Sequence, residues 1–408
     1  MAPITSQWQF WIDRGGTFTD IVARHPDGRL VTHKLLSDNP TRYADAAVKG
    51  IRDLLGIADD APLPADRIHV VRMGTTVATN ALLERKGART VLLTTEGFAD
   101  ALTIAYQNRP KLFALKIERL PALYEEVIEI SERIGARGEV VRPLDSAEAR
   151  AKLQRAFAAG FRSCAICLMH GYRFTQHEIR LAEIARELGF TQVSVSHEVS
   201  PLMKFVSRGD TAVVDAYLSP VLRLHVDRIA HELPNVPLQF MQSSGGLAEA
   251  HRFQGKDAVL SGPAGGIVGA VQTAALGGIT RMIAFDMGGT STDVTHYAGE
   301  YERGFDTEVG GVRLRAPVLQ IHTVAAGGGS ICSFDGARLR VGPESAGAAP
   351  GPAAYRRGGP LTITDCNVML GRIRPEHFPR VFGDSGDLPL DEVGVGAQFE
   401  LLLSLIHI

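Results

Sequence analysis

Asp286-Met287-Gly288-Gly289-Thr290-Ser291-Thr292-Asp293 is the stretch that decides the fold, because the chain carries it twice. Its twin is Asp13-Arg14-Gly15-Gly16-Thr17-Phe18-Thr19-Asp20. Six of the eight positions agree: the opening Asp, both Gly, two Thr and the closing Asp. Each copy follows an apolar run (8–12 and 282–285) and precedes a β-like segment (21–23 and 294–296). Both therefore read as strand, Gly-Gly turn, strand.

Two glycines let a backbone turn tightly and bring its N–H groups close to an anion with no Cβ in the way. The hydroxyls of Thr17, Thr19, Thr290 and Thr292 are donors suited to phosphate oxygens. Carboxylates repel phosphate, so Asp13, Asp20, Asp286 and Asp293 imply a divalent cation between them. Mg²⁺ (or Mn²⁺) held through water by Asp13 and Asp286 meets that need. A lone Gly-Gly hairpin with an Asp is most often an ordinary turn. Two matching copies in one chain point instead to a pair of phosphate clamps facing each other across a cleft.

At 408 residues the chain is long enough for two or three domains of about 150 residues each. Hydrophobic residues make up 45% and charged residues 22%, the balance of a globular protein with ample core. A net charge of −2 argues against a general nucleic-acid or membrane-surface binder. No apolar run approaches membrane-span length. Residues 1–7 lack a basic segment followed by an apolar core, so no secretory signal is read, and few cysteines fit a reducing compartment. The expected setting is cytoplasmic. Cys164 and Cys167 form a C-x-x-C in an apolar run. Spacing of three on a strand sends the thiols to opposite faces, and no second C-x-x-C completes a zinc site, so both read as core.

Strands alternate with helices along the chain, which predicts an α/β sheet with helices on its faces. After the first hairpin, 30–34 reads as a third strand, completing the opening meander of an RNase H-like unit. A helix is expected over 43–55, strands over 68–72 and 90–94, and between them a small-residue helix start at 74–83. Its Thr75 and Thr76 are candidates to meet an anion or a carbonyl, or simply to cap the helix. Arg109, in the polar loop 107–111, offers a planar fork that matches a carboxylate. Residues 124–141 read as an inserted β element, and 147–159 and 176–188 as helices around a strand at 164–169. Residues 200–210, with Lys204, Arg208 and Asp210, read as the seam between two halves, 1–200 and 201–408, ahead of a long helix over 211–233. A glycine-rich stretch, 261–266, opens a helix over 267–275. A third glycine cluster, Gly327-Gly328-Gly329, precedes an irregular Gly/Pro-rich wall at 342–355. The apolar run 399–408 begins a helix and stops without a cap, as a truncation would.

Seven stretches together resemble the hydantoinase A/oxoprolinase group across residues 9–400. They are Asp13–Asp20, MGTTVATNALLERKG (73–87), QNRPKL (107–112), KFVSRGDTAVVDAYLSP (204–220), 261–266, Asp286–Asp293 and TVAAGGGSI (323–331). VGPESAGAAPGPAAYRRGGPLTITDCNVMLGR (341–372) is the most specific single stretch. The resemblance implies an actin/Hsp70/sugar-kinase-like fold, two RNase H-like domains closing on ATP, with the second domain truncated. It implies ATP-driven hydrolysis of the 5-oxo-L-proline lactam to L-glutamate. Asp13 and Asp286 are then the catalytic pair. Gly15, Gly16, Thr17, Thr19, Asp20, Gly288, Gly289, Thr290, Thr292 and Asp293 bind phosphate, and Thr75, Thr76, Arg109, Lys204, Gly328 and Gly329 line the substrate. It further implies a hydantoinase B-like C-terminal region or subunit as partner, a homo- or hetero-oligomer, and a nucleotide motif downstream of residue 408. Rival readings are a hydantoinase or ketone-carboxylase subunit, a non-catalytic nucleotide-binding module, and a sugar or acetate kinase.

Overall fold

The computed structural model describes residues 7–404 except 17, 38, 40–41, 108–112, 117–119, 348 and 384–385. Strands β1 (Trp8–Arg14), β2 (Phe18–Arg24) and β3 (Leu30–Leu36) form an antiparallel meander. Alternation along β1 buries Trp8, Phe10 and Ile12 and turns Trp11 and Asp13 outward. Helix α1 (Ala46–Leu55) is capped by the Asp45 carboxylate, which accepts from the Ala47 and Val48 N–H groups, and ends at Gly56 in the left-handed region. Strand β4 (Ile68–Thr75) follows, parallel to β1, and leads into helix α2 (Val77–Leu83).

A second sheet comes next in the chain. Its elements are β5 (Thr90–Thr95), a short helix α3 (Ala101–Ile104), β6 (Glu126–Ile130) and a small antiparallel pair β7 (Arg133–Ile134) and β8 (Val140–Arg142). Then come α4 (Ser146–Ala158), β9 (Ser163–Cys167), α5 (Gln176–Glu187) and β10 (Gln192–Val195). The order is β10-β9-β5-β6 with every pairing parallel. Every residue of β5 and β9 is buried, as expected where both faces are covered. The expected inserted element at 124–141 is corrected here: 126–130 is an integral strand beside β5, and only β7 and β8 stand apart. Cys164 packs with α4 and α5, Cys167 with the opposite core, and burial pushes each thiol up to about 12.

The chain then returns to the first sheet. A short helix α6 (Ser196–Val199) precedes α7 (Phe205–Glu232), followed by β11 (Leu238–Met241), β12 (Leu247–Glu249), a helical turn α8 (Gly255–Ala258) and α9 (Ser261–Leu276). β11 lies parallel to β4, so the first sheet reads β12-β11-β4-β1-β2-β3. The expected division at residue 200 cuts through this sheet and through the core that α7 shares with β1, β4 and β11. α7 also begins earlier than the expected residue 211. The charges thought to mark a seam are paired instead: Arg208, fully buried, reaches Glu178 at 3.1 Å, and Asp210 reaches Arg313 at 2.9 Å. Likewise α9 begins within the glycine-rich stretch, at Ser261.

The last part repeats the opening. β13 (Met282–Met287) and β14 (Thr292–Tyr297) pair antiparallel. After a separate hairpin of β15 (Arg303–Val309) and β16 (Val312–Leu319), β17 (His322–Val324) joins β14 as the third strand. A hairpin of β18 (Ser330–Phe334) and β19 (Leu339–Ser345) leads to α10 (Ile363–Met369) and α11 (Glu392–Ser404), which close a small core around Ala354, Val368, Phe382 and Val395. The fold is thus α/β with mixed sheets. Among the described residues no helix is long and apolar enough to cross a membrane.

The β15–β16 hairpin ties the two parts together. Leu314 and Ala316 of β16 are buried in the core of the first sheet, and the Arg315 N–H donates to Thr211 Oγ1 of α7 at 2.9 Å. Leu314→Ala is therefore expected to lower unfolding free energy by about 2–5 kcal/mol in urea denaturation. A loss under about 0.5 kcal/mol, as at a free surface, would contradict this docking.

Candidate functional site: two facing glycine hairpins

The two hairpins match in register as well as in sequence. Asp13 pairs opposite Asp20 and Asp286 opposite Asp293. Gly15 N–H donates to Phe18 O at 3.0 Å, and Gly288 N–H to Ser291 O at 2.9 Å. A Cβ on Gly15 would lie 3.1 Å from Phe18 O, which is why the turn needs glycine. The next amide in each copy, Gly16 and Gly289, makes no backbone hydrogen bond among the described residues.

The threonines divide into two kinds. Thr19 is buried with its hydroxyl 3.0 Å from Ser37 Oγ, and Ser37 in turn donates to Gly15 O at 2.7 Å. Thr292 is buried and donates to Ala326 O at 2.6 Å. Both hydroxyls brace their turns from behind, so the expectation that they meet phosphate is corrected. Thr290 is exposed on the second turn, and Thr17, its counterpart, lies outside the described residues.

Helix α9 brings the hairpins together. Gly262 and Gly266 are one turn apart and share a face. Gly74, beside Asp13, comes within reach of the Gly262 backbone: a Cβ built on Gly74 would lie 3.2 Å from Asp13 Oδ1 and 3.9 Å from Gly262 Cα. A Cβ on Gly266 would lie 3.9 Å from Asp286 Oδ2. The start of α9 is pinned to the first sheet by Ser261 Oγ donating to Thr75 O at 2.7 Å and by Leu260 N–H donating to Thr79 Oγ1 at 3.2 Å. A cleft of about 330 Å³ runs between α9 and the second hairpin, with Asp286 and Asp293 in its wall.

The carboxylates feel this crowding. Asp13, though solvent reaches it, is raised above its ordinary range, first by loss of surrounding water, then by Asp20 and Asp286, with Lys34 opposing. Asp293 is raised by burial and by Asp286, against a hydrogen bond from Thr323 Oγ1 at 2.7 Å. Four carboxylates are thus linked across the two hairpins.

The expected substrate residues mostly serve the scaffold. Thr75 Oγ1 accepts from Val77 N–H, and Thr76 Oγ1 donates to Arg14 O, both at α2's start. Gly328 N–H and Gly329 N–H donate to Gly288 O and Gly289 O, so this glycine cluster is a backing for the second turn. A Cβ on Gly327 would sit 2.6 Å from Gly289 O, which accounts for the glycine there. Arg109 lies outside the described residues. Lys204 lines a separate cavity of about 330 Å³ with Tyr106, Ser207, Arg313 and Arg315, and has no ion-pair partner among the described residues. Sequence reasoning missed Lys34, Thr323 and Asn80. Lys34 and Thr323 reach the closing aspartates from a third strand, and Asn80 places its side-chain amide beside Gly16. Only strand register and helix packing reveal them.

The chain matches the family models for the Hydantoinase/oxoprolinase N-terminal region over residues 9–189 and for Hydantoinase/oxoprolinase over residues 208–407. It is 45% identical to 5-oxoprolinase 1 of Arabidopsis thaliana, over 99% of this chain and 34% of that protein. It is 43% identical to 5-oxoprolinase of Saccharomyces cerevisiae, over 97% and 34%. The chain spans about a third of the length of these relatives. Among solved structures, the ATP-dependent caprolactamase from Pseudomonas jessenii superposes with a TM-score of 0.72 at 30% identity, over 98% of this chain and 62% of that one.

Asp210 supplies a pH test of how the two parts are joined. Burial raises its carboxyl to about 6 from the ordinary 3.8, outweighing the Arg313 guanidinium. The folded state then holds a proton there that the unfolded chain has released, so this contribution to stability is full below about pH 3.8 and is lost as pH rises through about 6. The difference in unfolding free energy between wild type and Asp210→Asn should accordingly fall between those pH values and level off above. A difference that rises with pH would show that Arg313 dominates instead.

Proposed function

Because the chain belongs to the hydantoinase/oxoprolinase family, we propose that it supplies the ATP-phosphate-binding, lactam-activating part of an ATP-dependent hydrolase. The reaction opens 5-oxo-L-proline to L-glutamate and releases ADP and phosphate. One observation carries the reading: two register-matched hairpins, each with a glycine amide that has no backbone partner among the described residues, are brought by α9 close enough for Asp13 to feel the charge of Asp286. The relatives named 5-oxoprolinase support the substrate. The architecture is read as actin/Hsp70/sugar-kinase-like. β3-β2-β1-β4-β11 has the order and directions of an RNase H-like unit, and β13-β14-β17 repeats its first three strands.

The chemistry explains why ATP is needed. An unstrained amide resists water. Transfer of the γ-phosphoryl group to the lactam oxygen leaves ADP and makes the ring carbon electrophilic. Water then adds there, the C–N bond breaks with the nitrogen taking a proton, and a second water cleaves the resulting acyl phosphate to carboxylate and free phosphate. Catalysis of this kind is positioning and charge neutralisation. Gly16 and Gly289 N–H groups would donate to phosphate oxygens, with Thr290 on the second turn. The Lys204 cavity is separate from this cleft, so a role for Lys204 with the substrate carboxylate needs the two to act together.

Among the described residues no three His, Cys, Asp or Glu side chains come close enough to hold a metal directly. The linked carboxylates fit a cation held through water, with Asp13 and Asp286 as its anchors. Mg²⁺ or Mn²⁺ bound there neutralises phosphate charge. A hydantoinase B-like region or subunit completes hydrolysis, in a cytoplasmic homo- or hetero-oligomer. The likeness to caprolactamase favours a second reading, in which the ring is a different lactam.

Asp286→Ala should cut 5-oxoproline-stimulated phosphate release from Mg-ATP by about 10²-fold or more, measured with the hydantoinase B-like part supplied. The fold should persist, because this side chain is exposed in the cleft and outside every core. Normal release by the variant would remove Asp286 from the site. Release stimulated by caprolactam and not by 5-oxoproline would establish the second reading.

A further inference from the structure

The two hairpins share their register but not the charge beside them. In each meander the closing aspartate faces a residue on the third strand: Asp20 pairs opposite Lys34 of β3, and Asp293 opposite Thr323 of β17. Lys34 Nζ donates to both carboxylate oxygens of Asp20, at 2.6 and 2.7 Å. Thr323 Oγ1 donates to one oxygen of Asp293, at 2.7 Å. The same geometric position therefore carries a full positive charge in one copy and a neutral hydroxyl in the other. The Lys34 stem is held in place, its ammonium 4.8 Å from the centre of the Phe18 ring, which meets Phe382 edge-on.

An exposed ion pair of this kind adds little to stability, and here Lys34 and Asp20 keep 37% and 53% of their side-chain surface open. Its consequence lies in the cleft. Asp20 has its charge answered on the spot. Asp286 and Asp293 face each other with no ion-pair partner among the described residues, and Lys34 opposes the carboxylates that act on Asp13.

We propose that Lys34 is a positioning residue that divides labour between the copies. Its ammonium answers the Asp20 charge at the first hairpin, so a cation anchored between Asp13 and Asp286 is drawn towards the Asp286–Asp293 side. A phosphoryl group at the first hairpin then meets a fixed positive charge, and one at the second meets the cation. This inference rests on the reading of the cleft as a metal-nucleotide site.

The test exchanges the two residues and counts metal rather than turnover. Mn²⁺ is titrated into the chain with a non-hydrolysable ATP analogue, and free Mn²⁺ is read by electron paramagnetic resonance. Lys34→Met should strengthen Mn²⁺ binding by about tenfold or more, or admit a second ion, by uncovering Asp20. Thr323→Lys should weaken Mn²⁺ binding by about tenfold or more. Lys34→Arg should match wild type, and circular dichroism checks that each variant is folded. Should Lys34→Met not fold, Thr323→Lys and Lys34→Arg decide the matter. Wild-type binding with either exchange leaving Mn²⁺ unmoved overturns the division of labour alone. No Mn²⁺ binding by wild type even with the analogue overturns the metal-nucleotide reading and this inference with it.

Discussion

Like charges held within reach of one another are the constraint on which this structure depends. Asp13 and Asp286 come from hairpins far apart in the sequence, and the Asp286 charge raises the cost of ionising Asp13, so something must hold their hairpins together. Two anchors do so. The start of α9 is tied to the first sheet through Ser261 and Leu260, and β16 is buried against α7 through Leu314 and Ala316. Neither anchor is built from the hairpins themselves. The cost of the repulsion falls on the scaffold and not on the hairpins.

α7 is what makes the second anchor firm. It lies between the two sheets, buried along most of 211–222, and so it cannot shift without opening the core it shares with both. Its polar residues are consumed in the same task. Arg208 joins Glu178, which also accepts from Ser196, His197 and the Leu168 N–H; Asp215 accepts from Ser194, Ser219 and the Lys256 N–H. Charges buried this way are weak contributors to stability, yet removing one partner strands the other. They fix α7 in a single position.

What could be read from the sequence follows from how local each signal is. The hairpins were legible because Gly-Gly, the flanking Asp and the apolar runs all lie within a dozen residues. The opposite faces of Cys164 and Cys167 were legible from spacing alone. The start of α7 was not, because Lys204 to Asp210 looks like a polar loop until Glu178 and Arg313 are known to cover it. β6 was mistaken for part of an insertion because its Glu-rich pattern hides a strand that only β5 completes. Lys34 escaped notice for the same reason: its partner Asp20 is set by register, not by sequence distance. The roles of Gly328 and Gly329 were misjudged in the other direction, since a glycine cluster signals close approach without saying whether a ligand or another backbone does the approaching.

That last ambiguity bears on how the site works. Hydroxyls are the obvious phosphate donors in a Gly-Gly-Thr turn, yet Thr19 and Thr292 are spent on Ser37 and Ala326. With those hydroxyls turned inward, the proposed site offers its phosphate a backbone amide on each turn, at Gly16 and at Gly289. A backbone donor has no rotamer to lose and no freedom to follow a moving charge. Such a pair of fixed donors suits a reaction in which the phosphoryl group, not the protein, travels across the cleft. The adjustable part is then the set of charges behind the amides, and there the two copies are no longer alike.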